Sequence, residues 1–241
     1  MRISELFYSL QGEGKRTGVP SFFIRTNFCN LKCMFKSGNL CDTPYTSWNP
    51  DDENNLGELS VEKIIEEYLK SGAVDAVITG GEPAVQKEEL EILCSGLKKL
   101  GAYVTIETNG TLISGFINHT DLISISPKLS TSVPYGTEYE KAHSQNRINP
   151  DVLISYEENH RKGLFDIQWK FVVCEEEDIA EIKELQKEIG FTDSSVYLMP
   201  EGINRDEIRM NGIAVAELCR KYGYNYTGRL HIELWGGKRG V

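Results

Sequence analysis

Asp75-Ala76-Val77-Ile78-Thr79-Gly80-Gly81-Glu82-Pro83 is a short apolar run that passes straight into a polar, glycine-rich turn. The run is too short for a helix and reads as a buried strand. The arrangement recurs along the chain. Residues 21–26 lead into clustered cysteines, and 102–107 into Thr108-Asn109-Gly110-Thr111. Residues 121–126 lead into Pro127-Lys128, and 195–199 into Pro200-Glu201-Gly202. Further strands are predicted over 166–173 and 229–235. Helices are predicted between them. One starts at Ser60, with Val61, Ile64, Ile65, Tyr68 and Leu69 on one face. The second, about 86–99, carries Leu90, Leu93, Cys94 and Leu97. Others cover about 150–160, 175–189 and 205–222. Residues 44–58 and 129–149 read as loops, and the second is long enough to suggest a functional role.

Alternating strands and helices predict an α/β fold with a parallel sheet and crossover helices. In such folds the C-terminal strand ends converge on one face. The decorated strand ends therefore share one cavity. No linker, repeat or low-complexity block interrupts residues 1–241, so one domain is expected.

Composition narrows the classes. A net charge of −10 argues against a large nucleic-acid surface, which needs clustered Lys and Arg. No apolar run reaches the roughly 18–20 residues of a membrane span. The N-terminus has no signal-peptide core, and a cytoplasmic location is expected. Of the six cysteines, Cys94, Cys174 and Cys219 fall in apolar patterns and read as small buried hydrophobes. Trp169, Trp235, Phe7, Tyr8, Phe22 and Phe28 are likewise expected in the core.

Cys29, Cys33 and Cys41 differ because they cluster at a strand end. Their spacing leaves three readings open. They are incidental thiols, a zinc site completed by Asp or His, or thiolate ligands of an iron–sulfur cluster with one iron left free. Arg25, a charge inside an apolar strand, needs a carboxylate or a ligand as partner. Gly12 and Gly14 around Glu13 read as a plain turn or as backbone lying against a ligand.

The three cysteines followed by a strand ending in Gly-Gly-Glu-Pro resemble the radical S-adenosylmethionine (SAM) enzymes. The match extends to one family within them, the 7-carboxy-7-deazaguanine synthases. It is carried by LQGEG (10–14), FIR (23–25), CDT (41–43), TGGEP (79–83), ETNGT (107–111), SPK (126–128) and LHIELWGGKRGV (230–241). One departure stands out. Seven residues, Met34 to Leu40, separate the second and third cysteines, where the usual gap is two.

The resemblance implies a partial, open TIM-like (β/α)6-type barrel, with a cluster loop at about 27–58 and a substrate-contacting tail at about 229–241. It implies a [4Fe-4S] cluster on Cys29, Cys33 and Cys41, with SAM completing the open iron. SAM would meet Leu40, Asp42, Gly80, Gly81, Glu82, Ser126, Pro127, Lys128, Met199 and Glu201. The implied substrate is 6-carboxy-5,6,7,8-tetrahydropterin, converted to 7-carboxy-7-deazaguanine with loss of ammonia and regeneration of SAM. Leu10, Gln11, Gly12, Glu13, Arg25, Thr79 and Val241 would line it, with Glu107 and His231 as catalytic candidates. Thr43 would hold Mg²⁺ with the substrate carboxylate. A homodimer and a flavodoxin- or ferredoxin-type electron donor are also implied. Arg25, Glu107 and His231 keep second readings, as an ion pair, a turn cap and a core histidine. Two rival functions remain open: another radical SAM enzyme, such as a glycyl-radical activase, and a non-enzymatic metal-stabilised binding module.

Overall fold

The computed structural model describes residues 1–241. Nine strands form one sheet. They are β1 (Arg2–Leu10), β2 (Pro20–Thr26), β3 (Gly57–Glu58), β4 (Asp75–Gly80), β5 (Tyr103–Thr108), β6 (Leu122–Ile125), β7 (Asp166–Val173), β8 (Val196–Pro200) and β9 (Asn225–Tyr226). Their order is β3-β1-β2-β4-β5-β6-β7-β8-β9. From β2 to β9 every pair is parallel, while β1 and β3 are antiparallel additions at the first edge. The two edges do not pair with each other, so the barrel is open, as expected. The helices are α1 (Pro44–Ser47), α2 (Val61–Ser71), α3 (Lys87–Lys99), α4 (Glu140–Asn146), α5 (Pro150–Arg161), α6 (Asp178–Ile189), α7 (Arg205–Tyr222) and α8 (Leu230–Trp235). None is long and apolar enough to cross a membrane.

Local chemistry sets these elements. The Ser60 side chain accepts from Lys63 N and caps α2, and Gly72 ends it at φ 69°. Its Val61, Ile64 and Tyr68 are buried, but Leu69 is 57% exposed. One residue turns about 100° around a helix, which carries Leu69 past the rim of the apolar stripe. In α3, Leu90, Leu93, Cys94 and Leu97 are all fully buried. They pack with β2, β4 and β5 residues into a continuous core that reaches Trp169 on β7 and Val215 on α7.

Several expectations change. Residues 229–235 are not a strand: the edge of β8 is taken by β9, and 230–235 coil into α8. A six-residue alternation does not distinguish the two states. Ile232 is the buried residue of α8, and Trp235 is 40% exposed rather than core. Tyr8 is exposed too, on the outer face of β1, and Phe7, Phe28 and Cys174 are only half-buried. The 44–58 loop contains α1, with buried Thr46 and Ser47, and the 129–149 segment contains α4. Strand β1 is an addition to the expected elements, its apolar pattern masked by Ser4 and Glu5.

Candidate active site

The C-terminal ends of the parallel strands open into one cavity of about 660 Å³, within the usual range for a small-ligand site. Its wall includes Cys29, Cys33 and Cys41 together with Leu40, Asp42 and Thr43. Leu10, Gln11, Gly12, Glu13, Arg25, Thr79, Gly80, Gly81 and Glu107 also face it, as do Ser126, Lys128, Met199, Glu201, His231 and Val241. Glu82 and Pro127 do not. Glu82 is fully buried, and its carboxylate accepts from Ala84 N, Thr108 Oγ1 and Asn109 N at 2.7–3.0 Å. It ties the end of β4 to the end of β5. Burial pushes its pKa up against those bonds.

The cysteine loop is built against the strand ends. Gly81 is needed at its place, since a Cβ there would meet Phe28 O at 2.0 Å. Phe28 itself stands at φ 79°, an uncommon setting for a large side chain, one residue before Cys29. Leu31 N lies 3.5 Å from Cys29 Sγ, and Ser47 Oγ lies 3.0 Å from Cys41 Sγ. Trp48 Nε1 donates to Cys33 O at 3.0 Å, and Cys41 N donates to Cys33 O at 3.3 Å.

The three cysteines do not converge as ligands of a single ion. A cluster places its own iron and sulfide between its thiolates, so wider spacing suits it. Burial pushes Cys29 up to about 12 and raises Cys33 and Cys41 as well, each thiol further repelled by its neighbours. Such thiols ionise when positive metal charge replaces the lost hydration. A buried Cys33 flanked by half-buried Cys29 and Cys41, beside an open cavity, therefore fits a cluster with one exposed iron.

On the opposite wall, Glu107 accepts from Gln11 Nε2 at 3.0 Å and from Thr79 Oγ1 at 2.8 Å. Three motifs distant in sequence thus form one hydrogen-bonded unit. Arg25 Nε donates to Glu5 at 2.6 Å. Its terminal nitrogens have no protein acceptor and are not sealed from the cavity. Arg25 is thus ion-paired at one edge of its guanidinium and leaves the other edge open to the cavity. Gly12 permits a close approach: a Cβ there would meet His231 Nδ1 at 2.1 Å, and Gly12 O accepts from Leu230 N. Burial lowers the His231 pKa, favouring a neutral ring.

A scan of family models matches the radical SAM superfamily over residues 23–211. The 7-carboxy-7-deazaguanine synthase of Halobacterium salinarum is 39% identical, covering 97% of this chain and 90% of that one. Its namesake from Rhodopirellula baltica is 35% identical over 99% of this chain and 88% of its own. The chain belongs to this family. Among solved structures, QueE from Escherichia coli superposes with a TM-score of 0.62 at 27% identity, covering 95% of this chain and 94% of that one. The protein is thus a radical SAM enzyme of the lyase type, whose family uses a [4Fe-4S] cluster and SAM.

For a member of this family, the structure adds residues that the motifs did not supply. Glu13 is not free to meet a ligand with its full charge. Its carboxylate pairs with Lys170 Nζ and, at 3.2 Å, with Arg229 Nε. Burial opposes its ionisation, but the two cations win and hold it well below the carboxylate range. Arg229 also donates to Asp42 at 2.6 Å and to Gly202 O at 2.7 Å. It joins the cysteine loop, the 10–14 turn and the end of β8. Glu5 is a second hub, accepting from Arg25, from Tyr45 OH at 2.9 Å and from Arg239 Nε at 2.6 Å. Arg239 lies 3.9 Å over the Tyr45 ring and fastens the C-terminal tail to β1. Lys170 had the same sequence signal as Arg25, a charge within an apolar strand. Arg239 lay within the C-terminal motif 230–241, whereas Glu5 and Tyr45 had no sequence signal.

Proposed function

We propose that residues 1–241 act as one domain that converts 6-carboxy-5,6,7,8-tetrahydropterin to 7-carboxy-7-deazaguanine, releasing ammonia, in 7-deazapurine biosynthesis. The observation that carries this reading is the joining of Gln11, Thr79 and Glu107 beside the free edge of Arg25. That wall offers amide, carboxylate and guanidinium groups to a flat, polar heterocycle bearing a carboxylate. Cys29, Cys33 and Cys41 would hold the cluster, and SAM would lie between them and Gly81, Ser126, Lys128, Met199 and Glu201. Bound there, the cluster and SAM would supply one-electron radical chemistry to the substrate.

The chain's own groups do the rest. Arg25 binds the substrate carboxylate by its terminal nitrogens while Glu5 holds its Nε. Thr43, a neutral oxygen donor, suits Mg²⁺ whose shell the substrate completes. Glu107 accepts from ring N–H groups, and neutral His231 offers one donor and one acceptor. Val241 and the tail exclude water above the substrate. A small-molecule substrate, a flavodoxin- or ferredoxin-type reductant, a homodimer and a cytoplasmic setting belong to this reading.

Anaerobic reconstitution tests it first. The protein should turn brown with about four irons per chain. A colourless protein with one tightly held zinc would exclude the reading.

A further inference from the structure

The seven residues between Cys33 and Cys41 are an ordered hairpin. Met34 and Leu40 form an antiparallel bridge, and Phe35 N donates to Asn39 O at 2.8 Å. Gly38 turns the tip at φ 90°. The hairpin reaches across the mouth of the open barrel. Lys36 meets Glu175 beyond β7 at 2.5 Å. Asn39 Nδ2 donates to Glu201 Oε1 at 2.9 Å and to Glu207 Oε2 at 3.0 Å. Glu207 is fixed in turn by Ile203 N at the start of α7.

Glu201 is only 6% exposed, yet no protein donor contacts its second oxygen. That oxygen is not sealed in the interior, and the residue lines the cavity. A carboxylate with one oxygen held and one free is an oriented acceptor. It suits adjacent hydroxyl donors, as on a ribose. We propose that Asn39 is a positioning residue. Through it the enlarged cysteine loop aims Glu201 at the ribose hydroxyls of SAM. The long gap thus serves SAM binding as well as cluster ligation. The proposal rests on the assignment of Glu201 to SAM.

Anaerobic equilibrium binding of SAM to the cluster-loaded enzyme tests it, with iron content measured on each variant. Asn39→Ala should weaken SAM binding roughly tenfold, as loss of one charge-assisted hydrogen bond would, and keep its iron. Glu201→Gln should weaken it at least as much. Because Asn39 acts through Glu201, the double variant should bind SAM no worse than Glu201→Gln alone. Unchanged affinity in Asn39→Ala would overturn the proposal. So would lost iron, or losses that multiply in the double variant. A neutral Glu201→Gln would remove its premise. Pterin turnover plays no part in these readouts, so failure of the proposed reaction would be seen separately.

Discussion

Arg25 is held at one edge of its guanidinium and open at the other. Its Nε is committed to Glu5, and its remaining edge is free for a carboxylate. Arg25→Lys keeps the charge but loses the fork. The expected outcome is a ten- to hundredfold rise in KM for the pterin, about what one charge-assisted bond supplies, and steady-state kinetics checks it. Glu13→Gln should be costly in a different way, because Lys170 and Arg229 would share a buried site with less compensating charge. A stability loss of about 3–5 kcal/mol is expected from denaturant titration. His143 gives a pH signature. It is 2% exposed, beside Ser132 Oγ, with Nδ1 unpartnered. Burial, then Lys128 and Arg147, lower its pKa from 6.5 to about 4. Folding therefore expels a proton from it. Its contribution is complete above pH 6.5 and is lost as pH falls toward 4, at most on the order of 3 kcal/mol. Melting temperatures of His143→Phe should fall less steeply than wild type across that window, and parallel curves would contradict this.

Elements were legible where one physical signal dominated. Strands β4 to β8 are apolar runs bounded by turn residues, and each was placed within a residue or two. The 229–235 segment failed because its alternation is short and β9 already occupies the sheet edge. Strand β1 failed because its polar residues serve the site: Ser4 and Glu5 receive Arg239. The site itself was legible through its motifs, which put nearly all the expected residues on one cavity. What joins them was not, since the pairs Glu5–Arg239 and Glu13–Arg229 span most of the chain. Helix α8 depends on one close approach. Gly12→Ala should push His231 and α8 off the 10–14 turn. The expected result is at least a tenfold loss of kcat/KM with cluster content retained, and full activity would contradict the docking described.

The whole molecule is an open sheet whose first and last strands are bridged by polar ties rather than hydrogen-bonded strands. Arg229 and the 34–40 hairpin both cross that opening. The cysteine loop is therefore held from both sides, which suits a third cysteine separated from the second by seven residues. Cys41→Ala should lose the cluster's visible absorbance after reconstitution, and retention would place the third ligand elsewhere. The identity of the reaction product decides the assignment. Anaerobic turnover with 6-carboxy-5,6,7,8-tetrahydropterin, SAM, Mg²⁺ and a reductant should yield 7-carboxy-7-deazaguanine and ammonia by mass spectrometry, with SAM undiminished. No deazaguanine, with SAM consumed to 5′-deoxyadenosine and methionine, would contradict it.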